Sequence, residues 1–185
     1  MSMCLIQERE MLEKADLVIV EVTPDMPVIY GDNEIHISQV DFIVEGNGTL
    51  PEIPASEPTV VEKAIGAHIA ELVHDGDTIQ LGIGGIPDAV GQCLLSKHDL
   101  GVHTEMITNS IVDLVAAGVV NGRKKSIHRG KIVGTFTLGN RMLYDFLDEN
   151  PSVMLMPGSY VNHPSVIAQN DNMISINTTL NVDLT

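Results

Sequence analysis

A glycine-rich segment joins an apolar run at 78–81 to a helix-like stretch at 88–95, and this junction restricts the folds open to the chain. An apolar run, a tight turn and a periodic apolar stretch, in that order, predict a strand, a loop and a helix. Backbone N–H groups exposed where such a helix starts favour an anionic ligand. The sequence therefore predicts a ligand-binding loop made of Gly82, Ile83, Gly84, Gly85, Ile86 and Pro87.

The same order of elements repeats after this loop. Runs at 102–106, 131–137 and 153–156 have strand composition, and stretches at 110–117 and 140–148 have helical composition. Strands that alternate with helices predict a parallel sheet with helices packed on its faces. We therefore expect an α/β fold with a mostly parallel, open sheet flanked by helices.

The first third of the chain is less regular. We predict a helix over 7–15 and strands over 17–22, 35–37 and 40–44. The stretch 46–58 contains three prolines and two glycines, which is typical of a surface connection. We therefore place a boundary there.

On this division, residues 1–58 form the end of an N-terminal half and a linker, and residues 59–185 begin a C-terminal domain. Strand-like alternation over 173–185 runs to the last residue without a turn or cap. We therefore expect the chain to be an internal piece of a longer protein, incomplete at both ends.

Composition narrows the possible functions. The formal net charge of −15 disfavours nucleic acid as a partner. The basic residues at 124–125 and 129–131 are expected in a solvated turn. Cys4 and Cys93 lack the spacing of a zinc site, and no long apolar run predicts a membrane span. We expect a cytoplasmic protein that does not bind membranes.

Glu105 ends the strand-like run 102–106. If that strand lies parallel to 78–81, Glu105 and the glycine loop emerge at the same carboxyl edge, where open α/β sheets bind ligands. Strand alternation places His103 on the same face as Glu105. A His-x-Glu pair can supply two metal ligands, but the other histidines are scattered and the Pro-Cys-x-x-Cys element of zinc deaminases is absent, so no metal site is expected.

Other interpretations of the loop and its surroundings are weaker. Pro87 occupies the sixth position of the dinucleotide fingerprint, where glycine allows close packing, and no Gly-Lys-Ser/Thr ending of a P-loop follows. Neither a nicotinamide cofactor nor a nucleotide triphosphate is therefore expected. Ser110 and Asp113 are predicted to form a capping box, and Gly118 a left-handed helix end.

The segments 78–90 (TIQLGIGGIPDAV) and 100–106 (LGVHTEM) together resemble the acetyl-CoA hydrolase/transferase family, and within it the 4-hydroxybutyrate and butyryl-CoA:acetate CoA-transferases. Shorter stretches, among them 130–133, 143–146 and 160–162, are similar to the family in the same order. The similarity runs from about Ala15 to the last residue. Family members are longer than this chain, which implies that it covers the middle of such an enzyme.

The resemblance implies a mechanism. In the family a glutamate, which Glu105 matches, attacks an acyl-CoA and forms an acyl anhydride. The CoA thiolate then converts the anhydride into a glutamyl-CoA thioester, and a second carboxylate collects the CoA. The resemblance implies that 82–87 line the thioester and CoA site, that coenzyme A enters as a substrate without a metal or redox cofactor, and that the enzyme is a homo-oligomer, a dimer. We expect the isolated piece to be inactive.

One departure from the family pattern follows the glutamate. The family commonly has Asp-Gly where this chain has Asn109-Ser110, and Ser110 tolerates the conformations of glycine less readily. Two rival functions stay open. An acyl-CoA hydrolase would use water in place of the acceptor. A noncatalytic α/β domain that binds an anion would hold Glu105 in a salt bridge away from the glycine loop.

Overall fold

The computed structural model describes residues 3–54 and 57–183. The helices are α1 (Glu8–Lys14), α2 (Val60–Ala70), α3 (Gly85–Cys93), α4 (Asn109–Ala116), α5 (Arg141–Leu147), α6 (Gly158–Val161) and α7 (Pro164–Ile167). The strands are β1 (Ile19–Val22), β2 (Phe42–Glu45), β3 (Thr78–Leu81), β4 (Gly101–His103), β5 (Met106–Ile107), β6 (Ile132–Gly134), β7 (Phe136–Thr137), β8 (Val153–Leu155) and β9 (Met173–Ile176).

A five-stranded parallel sheet organises the chain, in the order β8-β6-β4-β3-β9. Thr78 of β3 pairs with Gly101 of β4, so these two central strands run side by side. Two smaller parallel pairs accompany the sheet, β1 with β2 and β5 with β7. The predicted α/β fold with a mostly parallel sheet flanked by helices is confirmed.

The core lies on both faces of the five-stranded sheet. Ile79, Val102 and Val133 are completely buried, as expected for apolar strands covered by helices on both faces. Helix α2 packs closely on α3, because a β-carbon at Gly66 would lie 2.9 Å from the Ala89 carbonyl carbon. Truncating a large buried core side chain such as Ile79 to alanine lowers the free energy of unfolding by about 2 to 5 kcal/mol.

The N-terminal part of the chain packs against the outer strand β8. The Tyr30 carbonyl accepts from the Leu155 N–H at 2.8 Å, and the Asp32 N–H donates to the Leu155 carbonyl at 2.9 Å. Gly31 lies between them at φ +135°, and its backbone approaches Leu155 too closely for any side chain. The β1–β2 pair lies further out and leaves several apolar side chains exposed, Phe42 and Ile43 among them.

Several predicted elements differ from the observed ones. The strand predicted at 35–37 is wrong, because Ile37–Gln39 form a 3₁₀ turn that His36 and Gln39 cap reciprocally. The strand predicted at 173–185 stops at Ile176, and the last two positions lie outside the described residues. Helices α6 and α7 were not predicted, since each is only four residues long and lacks a periodic pattern.

The strands predicted at 102–106 and 131–137 each divide into two. Thr104 and Glu105 separate β4 from β5, and Thr135 separates β6 from β7. In the part of the chain that the structure describes, no helix has the length and apolar character needed to cross a bilayer.

Candidate active site

The glycine loop and Glu105 meet at the carboxyl edge of the sheet. They follow β3 and β4, whose register brings the two strand ends to the same height. A cavity of about 530 Å³ opens there and is lined by Gly82, Ile83, Glu105 and Asn162, among others. The predicted juxtaposition of the loop and the glutamate is therefore what the fold produces.

The backbone of Glu105 is fixed by a break in its strand. Its carbonyl accepts the N–H groups of Thr135 and Phe136, at 2.9 and 3.1 Å. The Thr104 hydroxyl lies 3.3 Å from the Leu81 carbonyl and 3.1 Å from that of Met106. These bonds hold a bend in which Glu105 is exposed while its neighbours on both sides are buried.

One amide group holds the Glu105 carboxylate. Asn162 Nδ2 donates to Glu105 Oε2 at 2.6 Å, and none of the ion pairs among the described residues includes Glu105. Asn162 is the C-terminal cap of α6. Sequence reasoning did not assign it a role, because 57 positions separate it from Glu105 and no local pattern joins them.

Gly84 requires glycine for its backbone conformation, whereas Gly82 and Gly85 lie close to neighbouring side chains. Gly84 has φ +113° and ψ −178°, a conformation essentially restricted to glycine, and it caps α3. A β-carbon at Gly82 would lie 2.7 Å from Asn177 Oδ1. One at Gly85 would collide with the Glu62 carboxylate.

The six predicted loop residues do not share one surface. Gly82 and Ile83 line the cavity of Glu105, while Ile83, Gly84 and Gly85 line a second cavity of about 230 Å³. Ile86 packs against the hydrophobic core and Pro87 is buried in the first turn of α3. Helix α3 begins at Gly85 and not at 88, so the backbone amides of its first turn belong to the loop itself.

Ser110 does not cap α4. Thr108 occupies the N-cap position without a side-chain capping bond, and Ser110 Oγ donates to Asp88 Oδ1 of α3 at 2.7 Å. The capping-box prediction is therefore wrong, whereas Gly118 does end the helix, at φ +75°. Ser110 lies within α4 without positive φ, so serine is accommodated here without the backbone freedom of glycine.

The second cavity has acidic walls. Asp88 and Asp113 both line it, together with Asn109 and Ser110. Burial raises the pKa of Asp113, and the neighbouring Asp88 charge raises it further.

The contacts of His103 do not favour a metal-binding role. Its Nε2 lies 2.8 Å from the Val161 carbonyl, and the ring is only 1% exposed. Burial lowers the pKa of His103, which keeps the imidazole neutral. Among the described residues, no group of three or more His, Cys, Asp or Glu side chains is arranged to hold a metal ion.

Lys125 is buried, contrary to the solvated turn expected for the basic cluster. Its side chain is 1% exposed, and Nζ donates to the carbonyls of Val102 and Lys131, both at 2.8 Å. Burial lowers its pKa to about 8. Because Val102 lies in β4, this lysine supports the strand that leads to Glu105.

The parallel α/β sheet of this chain, with a glycine loop and a carboxylate at its carboxyl edge, is similar in fold to solved CoA-transferases. The solved 4-hydroxybutyrate CoA-transferase from Porphyromonas gingivalis superimposes with a TM-score of 0.91 at 41% sequence identity. The match covers 95% of this chain and 45% of that one.

Family models and curated relatives agree with the fold. Residues 2–54 match the acetyl-CoA hydrolase/transferase N-terminal domain, and residues 139–185 match the acetyl-CoA hydrolase/transferase C-terminal domain. The chain therefore belongs to the acetyl-CoA hydrolase/transferase family.

Two curated relatives are similar over almost all of this chain. One is the succinyl-CoA:cyclohexane-1-carboxylate CoA transferase of Geobacter metallireducens, 47% identical over 99% of the chain and 42% of the relative. The other is the 4-hydroxybutyrate coenzyme A transferase of Clostridium kluyveri, 51% identical over 93% of the chain and 40% of the relative. The chain thus spans about two fifths of the length of the curated relatives that it matches.

Proposed function

We propose that this chain carries the nucleophile of a CoA-transferase, and that the nucleophile is Glu105. The observation that carries the proposal is the placement of the Glu105 carboxylate in a cavity beside Gly82 and Ile83. Asn162 holds one of its oxygens, and among the described residues no hydrogen bond to the other is found. A carboxylate is itself a nucleophile, so it can attack an acyl-CoA without a general base.

In the first step, Glu105 Oε1 attacks the thioester carbonyl of the acyl-CoA. The C–S bond breaks, the electron pair leaves on the CoA thiolate, and an acyl-glutamyl anhydride remains. Negative charge develops on the substrate carbonyl oxygen during the attack. We propose backbone N–H groups at 83–85 as donors to this oxygen, and Ile83 lines the same cavity as Glu105. One well-placed donor is worth about 10²- to 10³-fold in kcat.

In the second step, the thiolate attacks the side-chain carbonyl carbon of Glu105. The original acyl group leaves as a free carboxylate, and a glutamyl-CoA thioester forms. Charge now develops on a carboxyl oxygen of Glu105 itself, and Asn162 already donates to Oε2. The acceptor carboxylate then repeats these steps in reverse and leaves as the new acyl-CoA.

The substrates that we propose are short-chain acyl-CoAs, such as 4-hydroxybutyryl-, butyryl- or acetyl-CoA, with a carboxylate acceptor such as acetate. Relatives named for 4-hydroxybutyrate and for butyryl-CoA with acetate support this class. We further propose a cytoplasmic homodimer that uses no metal or redox cofactor. In this arrangement, residues 59–185 carry the site and 1–58 belong to the preceding half.

An acyl-CoA hydrolase is the second candidate. It would form the same glutamyl-CoA thioester, and water would then hydrolyse this thioester and release CoA. The observation that favours a hydrolase is that Glu105 is exposed, so water can reach its carboxylate.

The test is a CoA-transfer assay on the full-length protein, with acetyl-CoA, butyryl-CoA and their free acids. Glu105→Gln keeps the shape of the side chain and removes the nucleophile, so we expect loss of turnover by about 10³-fold or more. Glu45→Gln, on the exposed strand β2, is the matched control and should keep full activity. Turnover by Glu105→Gln at the wild-type rate would contradict the proposal. CoA release at the same rate with and without an acceptor acid would assign a hydrolase.

A further inference from the structure

The four-residue helix α6 carries the asparagine that holds Glu105. A helix of one turn does not keep its own shape or place, because the nucleus of a helix is unfavourable until longer segments form. The orientation of Asn162 toward the glutamate therefore depends on how neighbouring elements hold Gly158–Val161.

Contacts with the N-terminal segment and with His128 hold the early part of α6, and Ser159 Oγ donates to Glu10 Oε1 at 2.5 Å. The Gly158 N–H donates to the Leu5 carbonyl at 2.8 Å, and a β-carbon at Gly158 would lie 2.6 Å from the Ile6 carbonyl oxygen. The Tyr160 hydroxyl lies 2.7 Å from His128 Nε2, with the two rings packed edge to face. These contacts fix the start and the outer side of the turn, but not its last residue.

The last residue of α6 is held by His103. Its Nε2 lies 2.8 Å from the carbonyl of Val161, and Val161 is itself buried. A carbonyl oxygen only accepts hydrogen bonds, so Nε2 carries the proton and Nδ1 does not. Among the described residues, Nδ1 has no hydrogen-bond partner, so the ring has one polar contact and that contact is with Val161.

We propose that His103 is a positioning residue for Glu105, acting through the Val161 carbonyl and the adjoining Asn162 amide. This inference rests on the proposed function. His103 is the last residue of β4 and lies two residues before Glu105, so one short stretch of chain carries both the nucleophile and the anchor of the group that holds it. The loop of contacts is closed: His103 to Val161, Val161 to Asn162 along the chain, and Asn162 to Glu105.

The surroundings of His103 favour a fixed, neutral ring. Burial is the main cause that lowers its pKa, and the charges of Lys125 and His128 add to the effect. Lys125 also holds the Val102 carbonyl, and the amides of Thr135 and Phe136 hold that of Glu105. Backbone hydrogen bonds on both sides of His103 thus hold the main chain in place, so the backbone would not move if the ring rotated.

The test compares His103→Gln with His103→Asn in the full-length protein. The glutamine amide reaches about as far as Nε2 of histidine, whereas the asparagine amide reaches only about as far as Nδ1. We expect His103→Gln to keep kcat within about threefold. His103→Asn should lower kcat by about 10- to 100-fold, with KM for the acyl-CoA within about twofold, since misplacement of a reacting group acts on the chemical step.

Nitrogen NMR of wild-type protein labelled on histidine provides a second measurement that does not depend on a variant folding. We expect a neutral His103 ring protonated at Nε2. The opposite tautomer would overturn the inference, and so would equal kcat values for His103→Asn and the wild type, or equal losses in both variants. If the wild type forms no covalent adduct on Glu105 with acetyl-CoA, the proposed function fails and this inference with it. An adduct on the wild type together with an unimpaired His103→Asn overturns this inference alone.

Discussion

Replacing Lys125 with methionine should change how the stability of the protein depends on pH. Lys125 has a pKa of about 8 in the folded chain, against 10.5 for an ordinary lysine. Between these values the unfolded chain binds more protons than the folded one, so folding gains stability as pH rises. The shift corresponds to about 3 kcal/mol of destabilisation below pH 8, of which about 2 kcal/mol is recovered by about pH 9.5.

Lys125→Met removes this titration and keeps much of the side-chain volume. It also removes the two hydrogen bonds to Val102 and Lys131. The loss of these bonds and the removal of a buried charge act in opposite directions, so the stability change at a single pH is not informative. The informative quantity is the difference in unfolding free energy between wild type and variant, followed from pH 7 to 9.5 by urea denaturation. We expect the wild type to gain about 2 kcal/mol on the variant over this range.

The matched control is Lys124→Met. Lys124 is exposed and lies 3.8 Å from Asp99 in a surface ion pair, so its removal should leave the pH dependence unchanged. A wild-type minus Lys125→Met difference that stays constant across the range would refute the argument, because it would mean that Lys125 titrates normally and that its burial has no electrostatic consequence.

Two further substitutions test the site. Gly84→Ala places a β-carbon at φ +113°, so we expect a loss of about 1 to 3 kcal/mol in unfolding free energy and at least tenfold in kcat. The control Gly118→Ala, at φ +75° just after α4, should lower the melting temperature but leave kcat unchanged. Equal activity of the two variants would contradict a role for the loop. Asn162→Ala should lower kcat by about 10²-fold in steady-state assays, because Glu105 Oε2 loses its donor, and an unchanged kcat would remove Asn162 from the mechanism.

The sequence predicted the parts of this molecule that depend on local patterns. Apolar runs of four residues and periodic stretches gave β3, β4 and α4, and their alternation gave the parallel sheet. From the sheet alone it followed that the glycine loop and Glu105 share an edge. Gly118 was recognised as a helix end because a left-handed cap has a strong preference for glycine.

The sequence did not predict contacts between distant segments. Asn162 and His103 act on partners 57 and 58 positions away, and nothing in their local sequence names those partners. Lys125 lies in a basic stretch that is typical of a solvated turn, yet it is buried and donates to the carbonyls of Val102 and Lys131. Ser110 had a good capping pattern, but tertiary packing of α4 on α3 offered its hydroxyl the Asp88 carboxylate instead.

The central claim is that Glu105 becomes covalently attached to CoA. The direct measurement is mass spectrometry of the full-length protein after incubation with acetyl-CoA and then borohydride, which reduces a glutamyl thioester to a stable alcohol. The account predicts a reduced residue that maps to Glu105 and is absent from Glu105→Ala. Wild-type protein that binds CoA without any adduct would contradict the claim, and so would activity that survives Glu105→Ala. Binding of CoA with neither adduct nor turnover would favour a noncatalytic anion-binding domain.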